Sequence, residues 1–209
     1  MSEKRSAATL LDRLHADAVR TLTDFAPSDE RESALRTHYL ELLGRGPDAL
    51  LRDGGPEHVT ASALVVDAAG ERTLLSLHAK SGMWVQLGGH VEAGDATLAA
   101  AALREAREES GIDALTMLGD RPADLDRHQL GSAFGRCRWH ADVRYVVVAP
   151  VGAAETVSEE SLDLRWFGWD ELPPDAVPDL GHLVAAARRL LAAQPSESPS
   201  PAVADTPSR

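Results

Sequence analysis

Over residues 9–25 the apolar side chains Leu10, Leu11, Leu14, Ala18, Leu22 and Phe25 recur every three or four positions, the spacing of one helix face, and Pro27 stops the run. Ser28 with Asp29 and Glu30 marks a second helix start, after which Leu35, Tyr39, Leu42 and Leu43 share a face as far as Gly44, with Gly46-Pro47 beyond. The chain therefore opens on a predicted helical pair. After Gly54-Gly55-Pro56 the pattern changes to short β-prone runs at 59–66, 72–78 and 83–87, separated by turn residues at 67–70 and at Ser81-Gly82. The third run leads into a glycine loop at Gly88-Gly89. An alanine-rich helical stretch follows at 96–110, with Gly111 as its stop. Beyond it the pattern predicts a strand near 113–118, an irregular segment over 120–138, and strands at 141–149 and 164–168. A last helix is predicted over 177–193, with Pro178 in its first turn and Leu180, Leu183, Val184, Ala187, Leu190 and Leu191 on one face. The proline- and serine-rich residues 194–209 read as a disordered tail.

Composition narrows the function. The 209 residues are enough for one generous domain with an appendage, and 44% hydrophobic with 26% charged residues is an ordinary globular balance. No run approaches the roughly 18 apolar residues of a membrane span, and charges interrupt the N-terminal stretch, so no membrane association is expected and the placement is cytoplasmic. Cys137 is the single cysteine, which excludes an internal disulfide, fits a reducing compartment and reads as chemically inert. A net charge of −12, from 33 acidic against 21 basic residues, disfavours a stable nucleic-acid complex and points to a small ligand. An anionic ligand would need basic side chains gathered in a cleft, or a divalent cation held by carboxylates.

The segment 88–112, GGHVEAGDATLAAAALREAREESGI, carries the second option. Glu105, Glu108 and Glu109 stand at i, i+3 and i+4, so a helix projects all three carboxylates from one face. Their repulsion, on the order of a few tenths of a kcal/mol per exposed pair, is relieved by a hard cation such as Mg²⁺ or Mn²⁺. Arg104 stands one turn before Glu108 and can fix its direction, and the glycine pair lets backbone approach a ligand and offer a carbonyl.

With Gly89, Arg104, Glu105, Ala106, Glu108, Glu109, Gly111 and Ile112 in place, the segment resembles the Nudix box, G-x5-E-x7-R-E-U-x-E-E-x-G-U with U aliphatic. It departs at two points. Asp95 stands where the first glutamate is expected, and eight residues rather than seven separate it from Arg104; Ala106 is small for its aliphatic position. The extra residue is assigned to the loop before the helix, which leaves the roles of Asp95 and nearby Glu92 open.

The resemblance covers roughly residues 57–192. It implies an α/β (α+β) Nudix fold, a mixed β-sheet sandwiched between helices, with 1–54 as an N-terminal helical extension and 55–193 as the hydrolase domain. It also implies hydrolysis of a diphosphate linkage in a nucleoside diphosphate derivative. Glu105, Glu108, Glu109 and the Gly88 carbonyl would hold Mg²⁺ or Mn²⁺, and Glu108, Glu105 and Arg104 would form the catalytic set. The base is open between Glu108, Glu105 and the loop residues Glu159 and Glu160, which with Arg144 are also the substrate-binding candidates. A nucleotide-sensing module without catalysis is the alternative, and an isomerase using Cys137 is a third reading. A homodimer is the default assembly for such a chain. His128, His140 and Asp142 match no established zinc spacing and are left unassigned; Trp84, Trp139, Trp166 and Trp169 are read as packing residues.

Overall fold

Helix α1 (Ser2–Asp24) and helix α2 (Glu30–Leu43) form the predicted pair, in a computed structural model that describes residues 2–131, 137–158 and 161–194. Asp29, rather than Ser28, caps α2: its carboxylate accepts from the Glu32 N–H at 2.7 Å, while the Glu32 carboxylate accepts from the Ser28 N–H at 2.5 Å. This reciprocal pair satisfies two N-terminal donors and contributes on the order of 1 kcal/mol. After a 3₁₀ turn at Pro47–Leu50 the chain enters strand β1 (Glu57–Val66).

Strand β1 is buried on both faces because it lies between neighbours and beneath helices on either side. It pairs in parallel with β7 (Trp139–Val148) along its whole length, from Glu57 opposite Trp139 to Val66 opposite Val148. Its first half also pairs with β4 (Leu87–His90), and its far end with β2 (Arg72–His78). Strand β2 carries β3 (Trp84–Val85) and β8 (Ser161–Gly168), whereas β7 carries β5 (Thr116–Met117) and β6 (Asp124–Gln129). The result is an eight-stranded mixed sheet.

The two faces of β1 and β7 bury different partners. Val59, Ala61, Ala63 and Val65, with Ala141, Val143, Tyr145 and Val147, join Leu14, Leu22, Tyr39, Leu42 and Leu50 of the N-terminal segment and Leu98, Ala102 and Ala106 of helix α3 (Leu98–Ser110). The N-terminal pair thus shares the principal core. The opposite face, through Leu64, Val66 and Val146, receives Leu180, Leu183, Val184 and Ala187 of helix α4 (Leu180–Ala192). Helix α4 covers only the far half of that face.

Helix α3 is held at both ends. Thr97 caps its start by accepting from the Ala100 N–H, and Asp17 of α1 accepts from the Leu98 N–H at 3.1 Å, a carboxylate placed on the positive end of the helix dipole. Gly111 ends the helix in the left-handed region, φ +69°, as the sequence predicts.

Three expectations change. The irregular segment contains strand β6, whose buried positions include two aspartates and so do not show the apolar alternation of a strand. The run 83–87 divides into β3 and β4 with different partners, so Gly88 and Gly89 lie inside a strand rather than in a loop. Helix α4 starts at Leu180, leaving Pro178 before it. Residues 195–209 of the expected tail lie outside the described residues. Among the described residues no helix is long and apolar enough to cross a membrane.

Candidate active site

Helix α3 lies against β4 at the glycine pair. Gly88 adopts φ +154°, and a Cβ there would fall 2.3 Å from Ser62 Cβ and 2.4 Å from Ser62 Cα on the adjacent strand. A Cβ on Gly89 would fall 2.8 Å from Oε2 of Glu105. Only glycines let β1 and the helix carboxylates approach this stretch so closely. The Gly88 N–H donates to Oε2 of Glu109 at 3.0 Å, so Glu105 and Glu109 both meet the glycine backbone.

Arg104 organises the remaining acidic groups. Its Nε and Nη2 donate to the two oxygens of Asp95 at 3.0 and 3.1 Å, and Nη2 also donates to the His90 carbonyl. Its Nη1 lies between Glu105, at 3.0 Å, and Glu108, at 3.1 Å. The hydrogen bonds donated to Asp95, followed by the charge of Glu105, hold the guanidinium pKa above its usual value against the opposing effect of burial. Asp95 is therefore an ion-pair partner for Arg104, and its own carboxylate also accepts from the Glu92 N–H, closing the loop before α3. The Glu92 side chain is exposed.

The oxygen donors around Gly88 and Gly89 are the hard, anionic set that suits a divalent cation of magnesium type. Glu108 is the most exposed of the three glutamates and shares its cation, Arg104, with Glu105.

From the same glycine pair a cleft of about 320 Å³ opens over the uncovered half of the sheet. Alternate residues of three strands form its polar side: Thr60 and Ser62 of β1, His140, Asp142 and Arg144 of β7, and His128 of β6; Met83, Val85, Val177 and Pro178 supply apolar wall. Asp142 accepts from Thr60 Oγ1 at 2.9 Å, from Ser62 Oγ at 2.6 Å and from Gln86 Nε2 at 3.1 Å. It is a fully engaged anchor, not a loose ligand.

Arg144, a substrate-binding candidate in the sequence, lines the cleft with its guanidinium engaged by protein carboxylates. It is 1% exposed and surrounded by carboxylates: Asp126 at 3.0 Å, Asp142 at 3.2 Å, Asp124 at 3.3 Å, and Asp179 in an ion pair from the start of α4. Burial alone would lower its pKa, but the charges of Asp126, Asp142, Asp179 and Asp124 outweigh burial and raise it. Burial raises the Asp124 pKa despite Arg144 and Arg31, whereas Asp126, also opposed by burial, is held below its usual value by the hydrogen bond from His128 and by Arg144.

The structure thus brings Gly88, Arg104, Glu105, Glu108 and Glu109 together beside a cleft floored by Arg144. Glu159 and Glu160 lie outside the described residues. Beyond the trio His128, His140 and Asp142, the sequence does not bring the floor aspartates and the histidines of β1, β6 and β7 together, although each strand repeats polar residues at every second position: His58-Thr60-Ser62, Asp124-Asp126-His128 and His140-Asp142-Arg144.

Loss of the close approach at Gly89 should be visible directly. Gly89→Ala is expected to lower kcat/KM by about tenfold or more while moving the thermal midpoint little, because its Cβ displaces the flexible end of Glu105 and no backbone. Steady-state kinetics beside a thermal melt checks this; unchanged kinetics would remove Glu105 from the site.

The sequence model of one protein family, described as NUDIX domain, matches residues 56–187. No curated protein gives a significant match. Among solved structures, a NUDIX-family hydrolase from Clostridium perfringens is 22% identical and covers 66% of this chain and 98% of its own, with a TM-score of 0.53. An Ap4A hydrolase from C. elegans is 19% identical over 64% of this chain and 97% of its own, also at a TM-score of 0.53. The E. coli dihydroneopterin triphosphate pyrophosphohydrolase is 18% identical over 65% of this chain and 96% of its own, at 0.50. These likenesses are of fold.

Proposed function

This chain belongs to the Nudix family, and from that premise we propose that Glu105, Glu108, Glu109 and the Gly88 carbonyl hold Mg²⁺ or Mn²⁺ for attack on a nucleoside diphosphate derivative lying in the cleft. The general reaction is hydrolysis of a diphosphate linkage in a nucleotide-derived compound, with the divalent-metal dependence of the family. The observation that carries the site assignment is the glycine pair itself, which borders the cleft on one side and meets Glu105 and Glu109 on the other.

A divalent cation bound there would neutralise the diphosphate oxygens and make a bound water more acidic. The chain supplies the rest. Arg104 orients Glu105 and Glu108 through one nitrogen and ties the helix to the Asp95 loop through the others, so it is a positioning residue. Glu108, exposed and reaching toward solvent, or Glu105 takes the proton from the attacking water; Glu159 and Glu160 belong to the same proposal as alternative bases and as substrate contacts. Arg144 acts through Asp142 and Asp179, shaping the floor on which the substrate rests. With that charge already matched by four carboxylates, phosphate binding falls to the divalent cation, while Met83, Val85, Val177 and Pro178 receive the less polar moiety.

Residues 1–54 serve as a helical extension that braces the 55–193 catalytic unit, since Asp17 meets the start of α3. A homodimer and a cytoplasmic placement complete the proposal, supported by the family resemblance and by the single cysteine.

The test is a panel of nucleoside diphosphate derivatives, including ADP-ribose, dinucleoside polyphosphates, oxidised nucleoside triphosphates and nucleotide sugars, assayed with Mg²⁺ or Mn²⁺ and again after chelation. Hydrolysis of at least one member is expected, falling to background with chelator and returning with added metal. No turnover across the panel, with nucleotide binding retained, would favour a sensing module instead.

A further inference from the structure

We propose that His58, Cys137 and His140, with His90 beside them, form a second metal site of soft, zinc-binding character next to the cleft wall at His140, separate from the carboxylates of α3.

These residues come from three parts of the chain. His58 stands near the start of β1, His140 is its direct neighbour in the parallel pairing with β7, and Cys137 lies just before β7. One donor atom from each comes within 4.8 Å of the other two, the one group of three such donors found among the described residues. Cys137 Sγ lies 3.5 Å from Nδ1 of His58. A zinc ion with bond lengths of about 2.0–2.1 Å to nitrogen and 2.3 Å to sulfur places its tetrahedral ligands roughly 3.4–3.6 Å apart. That spacing is already present along one edge, and the remaining contraction is within side-chain reach.

The chemical state of the donors suits a metal. Nε2 of His140 is buried with no hydrogen-bond partner among the described residues, a costly condition for a ring nitrogen unless something binds it. Burial, reinforced by neighbouring histidines and Arg52, lowers the His58 pKa to about 4 and the His140 pKa to about 2, so both rings are neutral at pH 7. Burial raises the Cys137 pKa, so the thiol enters protonated. Binding then breaks one S–H bond, forms one metal–sulfur bond and releases one proton to solvent, with no change in oxidation state.

His90 stacks against His58 at the side of this three-donor group. Its ring centroid lies 5.1 Å from that of His58 and 5.3 Å from that of His140. The Cys-His₂ set leaves the fourth tetrahedral position to water, or to His90 after its ring turns. The ion would join β1 to β7 and to Cys137 just before it, at the point where His140 lines the cleft.

The experiment uses the full chain, stripped of metal and titrated with Co²⁺ and then Zn²⁺ in excess Mg²⁺. One equivalent of Co²⁺ should produce the near-ultraviolet thiolate-to-cobalt band with the intense visible bands of tetrahedral geometry, and Zn²⁺ should abolish both. One proton should be released per ion at pH 7. Cys137→Ser should lose the near-ultraviolet band, His140→Gln should weaken binding by about tenfold or more, and Glu109→Gln should keep the spectrum, which separates this site from the diphosphate chemistry. Absence of the thiolate band in the unmutated protein would overturn the proposal irrespective of how the variants fold. So would a band that Cys137→Ser leaves intact.

Discussion

Glu109→Gln should lower kcat/KM by at least about two orders of magnitude while the folded protein melts close to the unmutated one. The reasons lie in one contact. Glu109 accepts from the Gly88 N–H at 3.0 Å, and a glutamine carbonyl has the shape to keep that hydrogen bond, so β4 remains against α3. What disappears is the negative charge beside the glycine pair. If Glu109 holds the divalent cation, part of the loss returns as Mg²⁺ or Mn²⁺ is raised, because weaker binding is offset by mass action. If it moves a proton instead, saturating metal restores nothing and the defect stays in kcat. Glu108→Gln makes the useful comparison, since Glu108 contacts Arg104 rather than the glycine backbone. A Glu109→Gln enzyme within threefold of the original at every metal concentration would refute the assigned role.

The residues that made the α3 cluster legible are those whose chemistry depends on local spacing. Glu105, Glu108 and Glu109 share a face because a helix repeats every 3.6 residues, and the structure also forms the expected Arg104–Glu108 pair at 3.1 Å. Asp95 was harder to interpret: its extra-residue spacing obscured its partner, which is Arg104 across the loop. The cleft floor was mostly illegible. Apolar alternation signals a strand only when one face meets hydrocarbon, and β6 turns Asp124, Asp126 and His128 toward charged partners instead. The β7 alternation was visible, but β1, its parallel partner in the floor, lies far away in sequence. For the same reason the N-terminal helices displayed their apolar faces without revealing their destination, which Arg31 and Tyr39 fix by donating to the Leu125 and Asp126 carbonyls of β6.

Arg144→Met should destabilise the protein by about 3–5 kcal/mol near neutral pH, the usual cost of removing one partner from a buried ionic cluster. Methionine fills much of the same volume, so the loss measures stranded charge more than a cavity. Asp124, Asp126 and Asp142 would remain buried, with Arg31 on Asp124 and His128 on Asp126 as the nearest cations left.

The pH dependence distinguishes this from a packing defect. In the unmutated protein Asp126 is held below its unfolded value, near 3.9, so its contribution is present above that pH and is lost as pH falls through the lower folded value. Without Arg144, burial acts on the aspartates with less opposition and raises their folded pKa values. Stability is then greatest below about pH 4 and is lost as pH rises through those raised values. The gap between the two proteins should therefore be small in acid and widen toward neutrality. Urea denaturation across that range measures it. Adding Asp124→Asn to Arg144→Met should recover part of the loss at neutral pH, since Asp124 is the carboxylate that burial already raises. A loss below about 1 kcal/mol, or one independent of pH, would mean that Arg144 does not hold this floor together by charge.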